Sequence, residues 1–296
     1  LKALADHVIT RHYPEAANAE DPYLALLEAV TARQAALVAR WMSLGFIHGV
    51  MNTDNCSIAG ETIDYGPCAF MEQFDPQKVY SSIDQGRRYA FNNQPGIAQW
   101  NLARFAETLL PLMREEGDAV VEVLRGFTQR FSAEQRRLHA NKLGLAPESD
   151  RAAPLMEALE IQMHQGRMDM TATFDALTHY AQALRKNSSA HSQKEALLAL
   201  TTQPDGLTAW LAEWENAQQA SQQRERLEAM RRANPVVIPR NHRIQEVIDA
   251  AVEGDFEPFH TLLAAVTQPF DESEEARRLA APATESEQVL RTFCGT

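Results

Sequence analysis

The chain of 296 residues predicts a mainly α fold. Three observations carry that prediction: apolar residues recur at helical spacing through most of the chain, Pro, Gly and Ser-rich turns punctuate those stretches, and only Gly45 to Phe70 reads as an irregular polar segment with room for a short β-hairpin. At 45% hydrophobic residues the chain can bury a substantial core, and its length admits one large domain or two modest ones.

Leu4, Val8 and Ile9 predict a first helix over 3–13, ended by Pro14. Asp21 as N-cap and Pro22 at the first helical position open a long amphipathic helix, with Leu24, Leu27, Val30, Leu37, Val38 and Trp41 on its apolar stripe and Gly45 as its stop. A helix this long and apolar is expected to be central and buried. Phe46 and Ile47 then lead into the polar turn His48 to Asn55. Cys56–Ile58 and Thr62–Asp64, joined through Ala59-Gly60-Glu61 and closed by Gly66-Pro67, predict the two strands of the hairpin. Residues 70–96, with the cluster Arg87-Arg88-Tyr89, read as a loop long enough to be functional, touching a substrate or serving as a solvated structural loop.

Helices are predicted again from Ile97 and at about 118–143, 153–165, 170–185, 191–200 and 206–232, with Glu115, Glu116 and Asp118 as an acidic helix start and Trp210 and Trp214 as packing residues. The extended piece VVIPRNH, in which Asn241 and His242 receive no chemical role, precedes helices at 242–253 and 256–267. The acidic tail from Thr267 is expected to be pinned only in part.

A net charge of −12 opposes non-specific nucleic-acid binding, which needs clustered Lys and Arg. No run of eighteen apolar residues predicts a membrane span, and the opening LKALADHVITRHYPE lacks the pattern of a signal peptide. Cys56, Cys68 and Cys294 are odd in number and have no zinc spacing, so a reducing, cytoplasmic compartment is expected. Without heptads, a monomer is expected. A first residue Leu1 rather than Met suggests a processed or truncated chain.

The chemistry concentrates in three side chains. Asp54, Asn55 and Asp64 offer the hard oxygen ligands that Mg²⁺ takes when it also holds phosphate, with one carboxylate left to accept a proton. His48 and Asn55 stand seven apart, as do the His and metal-binding Asn of the kinase catalytic loop, and Asp64-Tyr65-Gly66 falls where D-F-G would follow. The kinase base would stand two residues after His48, and that place holds Val50. Asp54 is the available substitute. His48 is read as organising the loop through backbone hydrogen bonds.

The runs WMSLGFIHGVMNTDNCSIAGETIDYGPCAFMEQFDP, GRRYAFNNQPGIAQWNLARFAETLLP, NPVVIPRNHRIQEVIDAA and RTFCGT resemble the selenoprotein O family over the whole chain. The resemblance implies a protein-kinase-like fold, of which this chain is the C-terminal helical lobe: residues 1–115 as lobe core with the catalytic and metal-binding loops, and 116–296 as a helical extension packed on it. It implies a Mg²⁺-dependent (or Mn²⁺-dependent) transfer of AMP from ATP, held in reversed orientation, to Ser, Thr or Tyr hydroxyls of proteins. Asp54 becomes the implied proton acceptor, Asn55 a metal ligand, and Asp64 both metal ligand and nucleotide contact.

No G-x-G-x-x-G occurs and the only Lys before the catalytic stretch is Lys2, so the nucleotide lobe is expected upstream of Leu1 and the chain alone is expected to be inactive. Family members also suggest a regulatory disulfide from the tail; this chain has Cys294, but Tyr80 stands at the aligned loop position and Cys68 elsewhere. Two alternatives stay open at this point: a kinase-fold interaction module without activity, and, opposed by Val50, an ordinary phosphotransferase.

Overall fold

Asp21 and Gly45 delimit the longest of the early helices as their chemistry requires. In the computed structural model, which describes all residues except 115–116, 187–188, 220–223 and 294–296, the Asp21 carboxylate accepts from Tyr23 N and Leu24 N, both at 3.1 Å, and Pro22 fills the first turn of helix α2 (Pro22–Leu44). Gly45 ends it at φ +73, where a Cβ would also lie 2.9 Å from Met170 Sδ. Helix α1 (Lys2–His12) precedes it and stops at Pro14.

A first core forms where the apolar stripe of α2 meets α3 (Gln94–Leu109) and α4 (Asp118–Lys142), enclosing Leu26, Val38, Leu102, Phe127 and Phe131. A second core is built from the end of α4 with α5 (Ala152–Gln165), α6 (Met170–Lys186), α7 (Ala190–Leu198), α8 (Pro204–Gln219) and α9 (Arg224–Ala233). At its centre Trp210 and Trp214 stack 6.2 Å apart, and their indole N–H groups donate to Leu155 O and Leu143 O. The helix expected over 206–232 is described as α8 and α9, with 220–223 outside the described residues. Glu115 and Glu116 of the expected acidic turn also lie outside them. A small third cluster of Val237, Leu262 and Leu279 ties α10 (Asn241–Val252), α11 (Glu257–Thr267) and α12 (Glu274–Ala280) to the VVIP segment.

Strand β1 (Phe46–Ile47) pairs antiparallel with β2 (Ala69–Phe70), Phe46 facing Phe70 and Ile47 facing Ala69. Because successive side chains point to opposite faces, Phe46 and Phe70 enter the first core while Ile47 and Ala69 enter the second. The ladder is therefore the seam between the cores, and the loop that it closes projects from that seam.

The strand pairing falls at the ends of this loop and not, as expected, between Cys56–Ile58 and Thr62–Asp64. The reason is competition for the backbone. Tyr13 Oη donates to Ile58 O and Gln34 Nε2 to Ser57 O at 2.7 Å, so carbonyls of the expected first strand are satisfied by side chains instead, and Arg33 Nη1 takes Ala59 O of the expected turn at 3.1 Å. A Cβ at Gly60 would lie 2.6 Å from Arg33 Cβ, which records how closely this loop lies on its neighbour.

Candidate functional site

His48 is the first residue past β1, and its environment sets the rest of the site. Its backbone N–H donates to Gln94 Oε1 at 3.0 Å, while Gln94 Nε2 donates to Phe46 O at 3.0 Å, so one buried amide clamps both ends of the strand-to-loop junction. The ring is buried against Trp41 and Phe46. His48 Nε2 lies 2.8 Å from Ile63 O. A carbonyl only accepts, so Nε2 carries the proton and the ring is held in one tautomer. Burial lowers the imidazole pKa, opposed by the Ile63 carbonyl and by the negative charge of Asp64. His48 is thus a neutral donor that grips the residue before Asp64.

Gly49 follows at φ +83, where a Cβ would lie 3.0 Å from Pro67 O; the turn needs glycine on both counts. Asp54 and Asn55 then sit on a single 3-10 turn, Thr53–Asn55. Asn55 Nδ2 donates to Val50 O at 3.0 Å. Asn52, at the N-cap of that turn, accepts from the hydroxyl of Tyr89, whose own backbone is held by Asp84: its carboxylate accepts from Arg88 N and Tyr89 N, both at 2.8 Å. In the Arg87-Arg88-Tyr89 cluster, then, Tyr89 braces the turn and Arg88 lies over Trp100. Asp64 has φ 55, a left-handed backbone that Asp tolerates better than most residues, and its side chain is exposed.

The charge of Asp54 reaches Cys56, and that of Asp64 reaches both His48 and Cys68. Burial pushes both thiols up, Cys68 to about 11, so each stays protonated at neutral pH. Both are free cysteines, and Cys294 lies outside the described residues. Asn55 and Asp64 fit a hard cation by donor chemistry: with Nδ2 committed to Val50 O, the Asn55 atom left for a metal is Oδ1, and Asp64 adds carboxylate oxygens.

The whole chain matches known proteins. Residues 1–267 match the family described as protein adenylyltransferase SelO. The chain belongs to that family. It is 52% identical over 303 aligned positions to "Protein nucleotidyltransferase YdiU" of Rhodopseudomonas palustris (strain BisB5), covering 100% of this chain and 60% of the relative. To the protein of the same description from Agrobacterium fabrum (strain C58) it is 47% identical, with the same coverage. The chain therefore spans about 60% of the length of these SelO relatives. None of its described helices is long and apolar enough to cross a membrane.

Sequence reasoning missed the residues that hold the loop. Gln94 falls in the stretch 70–96 expected to be loop, and Asn101, whose Nδ2 donates to Met51 O at 3.0 Å and reaches Cys56 Sγ at 2.9 Å, falls in the helix expected from Ile97 with no role of its own. Amides at core-facing positions of an amphipathic helix were the available signal. Arg240, Asn241 and His242 of VVIPRNH received no role, yet all three are buried. Arg240 makes two bonds to Asp169, at 2.8 and 3.1 Å, and donates to Ala280 O, while Glu72 lies 3.8 Å away.

Proposed function

We propose that this chain carries the metal-binding and proton-handling part of a protein adenylyltransferase site. The Ser, Thr or Tyr hydroxyl oxygen of a protein substrate attacks the α-phosphorus of ATP, the bond to the β-phosphate oxygen breaks, and pyrophosphate leaves. Asp54 accepts the hydroxyl proton. Asn55 Oδ1 and Asp64 would hold Mg²⁺, or Mn²⁺ in its place, which when bound neutralises phosphate oxygens in the transition state. His48 keeps Asp64 in place through the Ile63 carbonyl.

The observation that supports this reading best is the bond from Asn55 Nδ2 to Val50 O. Val50 stands where a kinase has its base; it is buried and carries no titratable side chain, and its carbonyl holds the Asn55 amide nitrogen. Proton transfer falls to the exposed carboxylate of Asp54. Protein substrates, ATP and a monomeric state belong to the same proposal, as does a division of the chain near residue 115 into lobe core and extension.

The test is labelling with ATP carrying the label at the α- or the γ-phosphate, in the full-length R. palustris relative and in this chain alone. Label from the α-phosphate is expected on protein with the relative, and none with this chain, whose sequence has no G-x-G-x-x-G run and no Lys but Lys2 before His48. Alanine at the counterpart of Asp64 is expected to cut labelling by roughly 10²-fold or more. Label from the γ-phosphate would identify a phosphotransferase, and no label at all an inactive interaction module; either result overturns the proposal.

A further inference from the structure

An open groove of about 670 Å³ lies between the end of α6 and one face of α9. Arg185 and Lys186 line it from α6, and Arg224, Leu227, Arg231 and Arg232 from α9, at the spacing that puts them on one side of that helix. Glu228 is the single carboxylate in the lining. Five cations thus stand against one anion, in a chain whose 28 Lys and Arg are outnumbered by 40 Asp and Glu.

The helix macrodipole accounts for only part of this. Arg185 and Lys186 close α6, and Arg231 and Arg232 close α9, where cations are favoured. Arg224 instead opens α9, where a cation is disfavoured. Arg231 pairs with Asp175 in the first half of α6 at 2.7 Å, so α9 runs antiparallel to α6 and its start meets the basic end of α6. The carboxylates nearby do not balance the excess. Glu228 is shared between Arg224 at 3.1 Å and Arg232 at 3.7 Å, while Arg231 is engaged by Asp175 and Glu272. Arg185 and Lys186 are exposed and have no ion-pair partner among the described residues. Like charges gathered in this way repel one another, and an anion seated among them replaces repulsion with attraction.

The cations are spread out and do not converge on one point. Arg224 to Arg232 covers about 12 Å of helix, which suits a row of carboxylates better than a single phosphate, and Leu227 within the row offers an apolar contact. A nucleic acid longer than the groove would meet the field of a chain of net charge −12. We propose that this groove docks an acidic segment of a partner protein, short and rich in Asp and Glu, with one apolar side chain against Leu227. The groove borders the second core and shares no residue with the 48–68 loop, so it holds the partner by a contact separate from Asp54, Asn55 and Asp64.

Fluorescence anisotropy of this chain with two labelled peptides makes the test: one of Glu and Asp around a single Leu, the other its Gln and Asn counterpart. The acidic peptide is expected to bind, more weakly as salt rises, and the amide peptide is not. Arg185→Glu combined with Lys186→Glu is expected to weaken that binding about ten-fold or more. The circular dichroism spectrum should stay unchanged, since both side chains are exposed. The same reversal at Lys2 and Arg11, exposed on α1, alters net charge equally and is expected to leave binding intact. No binding of the acidic peptide, equal binding of the amide peptide, or undiminished binding in the α6 variant would overturn the proposal. An equal loss in the α1 variant would reduce the effect to net charge and overturn it too. So would a single-stranded oligothymidine that binds more tightly than the acidic peptide and is lost in the α6 variant, since the groove would then belong to nucleic acid.

Discussion

Residues 48–68 and residues 71–82 are neighbouring loops held by different chemistry. The first loop, which carries Asp54, Asn55 and Asp64, is pinned by neutral or exposed side chains from nearby elements: Gln34 and Trp41 of α2, Gln94 and Asn101 of α3, and Tyr13 and Arg33. The second is clipped by distant segments. Phe74 N donates to Met168 O at 2.9 Å and Met170 N to Glu72 O at 2.8 Å, the buried Arg240–Asp169 pair packs beside Glu72, and Thr292 bridges Tyr80 and Ser82 through its backbone. A set of individually modest hydrogen bonds loosens by degrees when one is lost, whereas a buried ion pair fails as a unit because the surviving charge is left without a partner. Burial alone would lower the Arg240 pKa, but its bonds to Asp169 and the nearby carboxylates raise it, so the guanidinium stays charged.

Breaking the ion pair gives the largest expected effect. Arg240→Ala should destabilise the chain by about 3–5 kcal/mol in chemical denaturation, and hydrogen exchange should rise first in 71–82 and 168–170. Equal acceleration in 48–68 would mean that the two loops form one cooperative unit. Gln94→Ala should cost about 1–3 kcal/mol, since it leaves His48 N unpaired in a buried setting, with faster exchange at 46–50 and little change at 71–82. The smallest effect is expected from Thr292→Val, which removes only the hydroxyl bond to Pro67 O while the backbone bonds to Tyr80 and Ser82 remain. About 0.5–1.5 kcal/mol is at stake there, and a larger loss would show that the tail bears on the 48–68 loop as strongly as α3 does.

The same contrast separates what was legible in the sequence from what was not. Helix ends were legible wherever a local rule decides them: Asp21 and Pro22 open α2, Gly45 closes it, and Pro14 follows α1. The hairpin expected at 56–64 was misplaced because strand propensity says nothing about the Arg33, Gln34 and Tyr13 side chains that take those carbonyls. His242 remained opaque for a related reason. Its ring is buried 3.5 Å from Glu72, and neither ring nitrogen has a hydrogen-bond partner among the described residues, an environment assembled from residues far apart in the chain.

By itself, then, the sequence determined the helices, their caps, the family, and the grouping of Asp54, Asn55 and Asp64 in one short stretch, because each of these depends on residues close together along the chain. Only the tertiary structure decided that the strand ladder lies at Phe46–Ile47 and Ala69–Phe70, that alternate residues of that ladder feed two different cores, and that Arg240 locks the following loop. Those outcomes follow from which buried polar group finds which partner, and that is settled only when distant segments meet and exclude water.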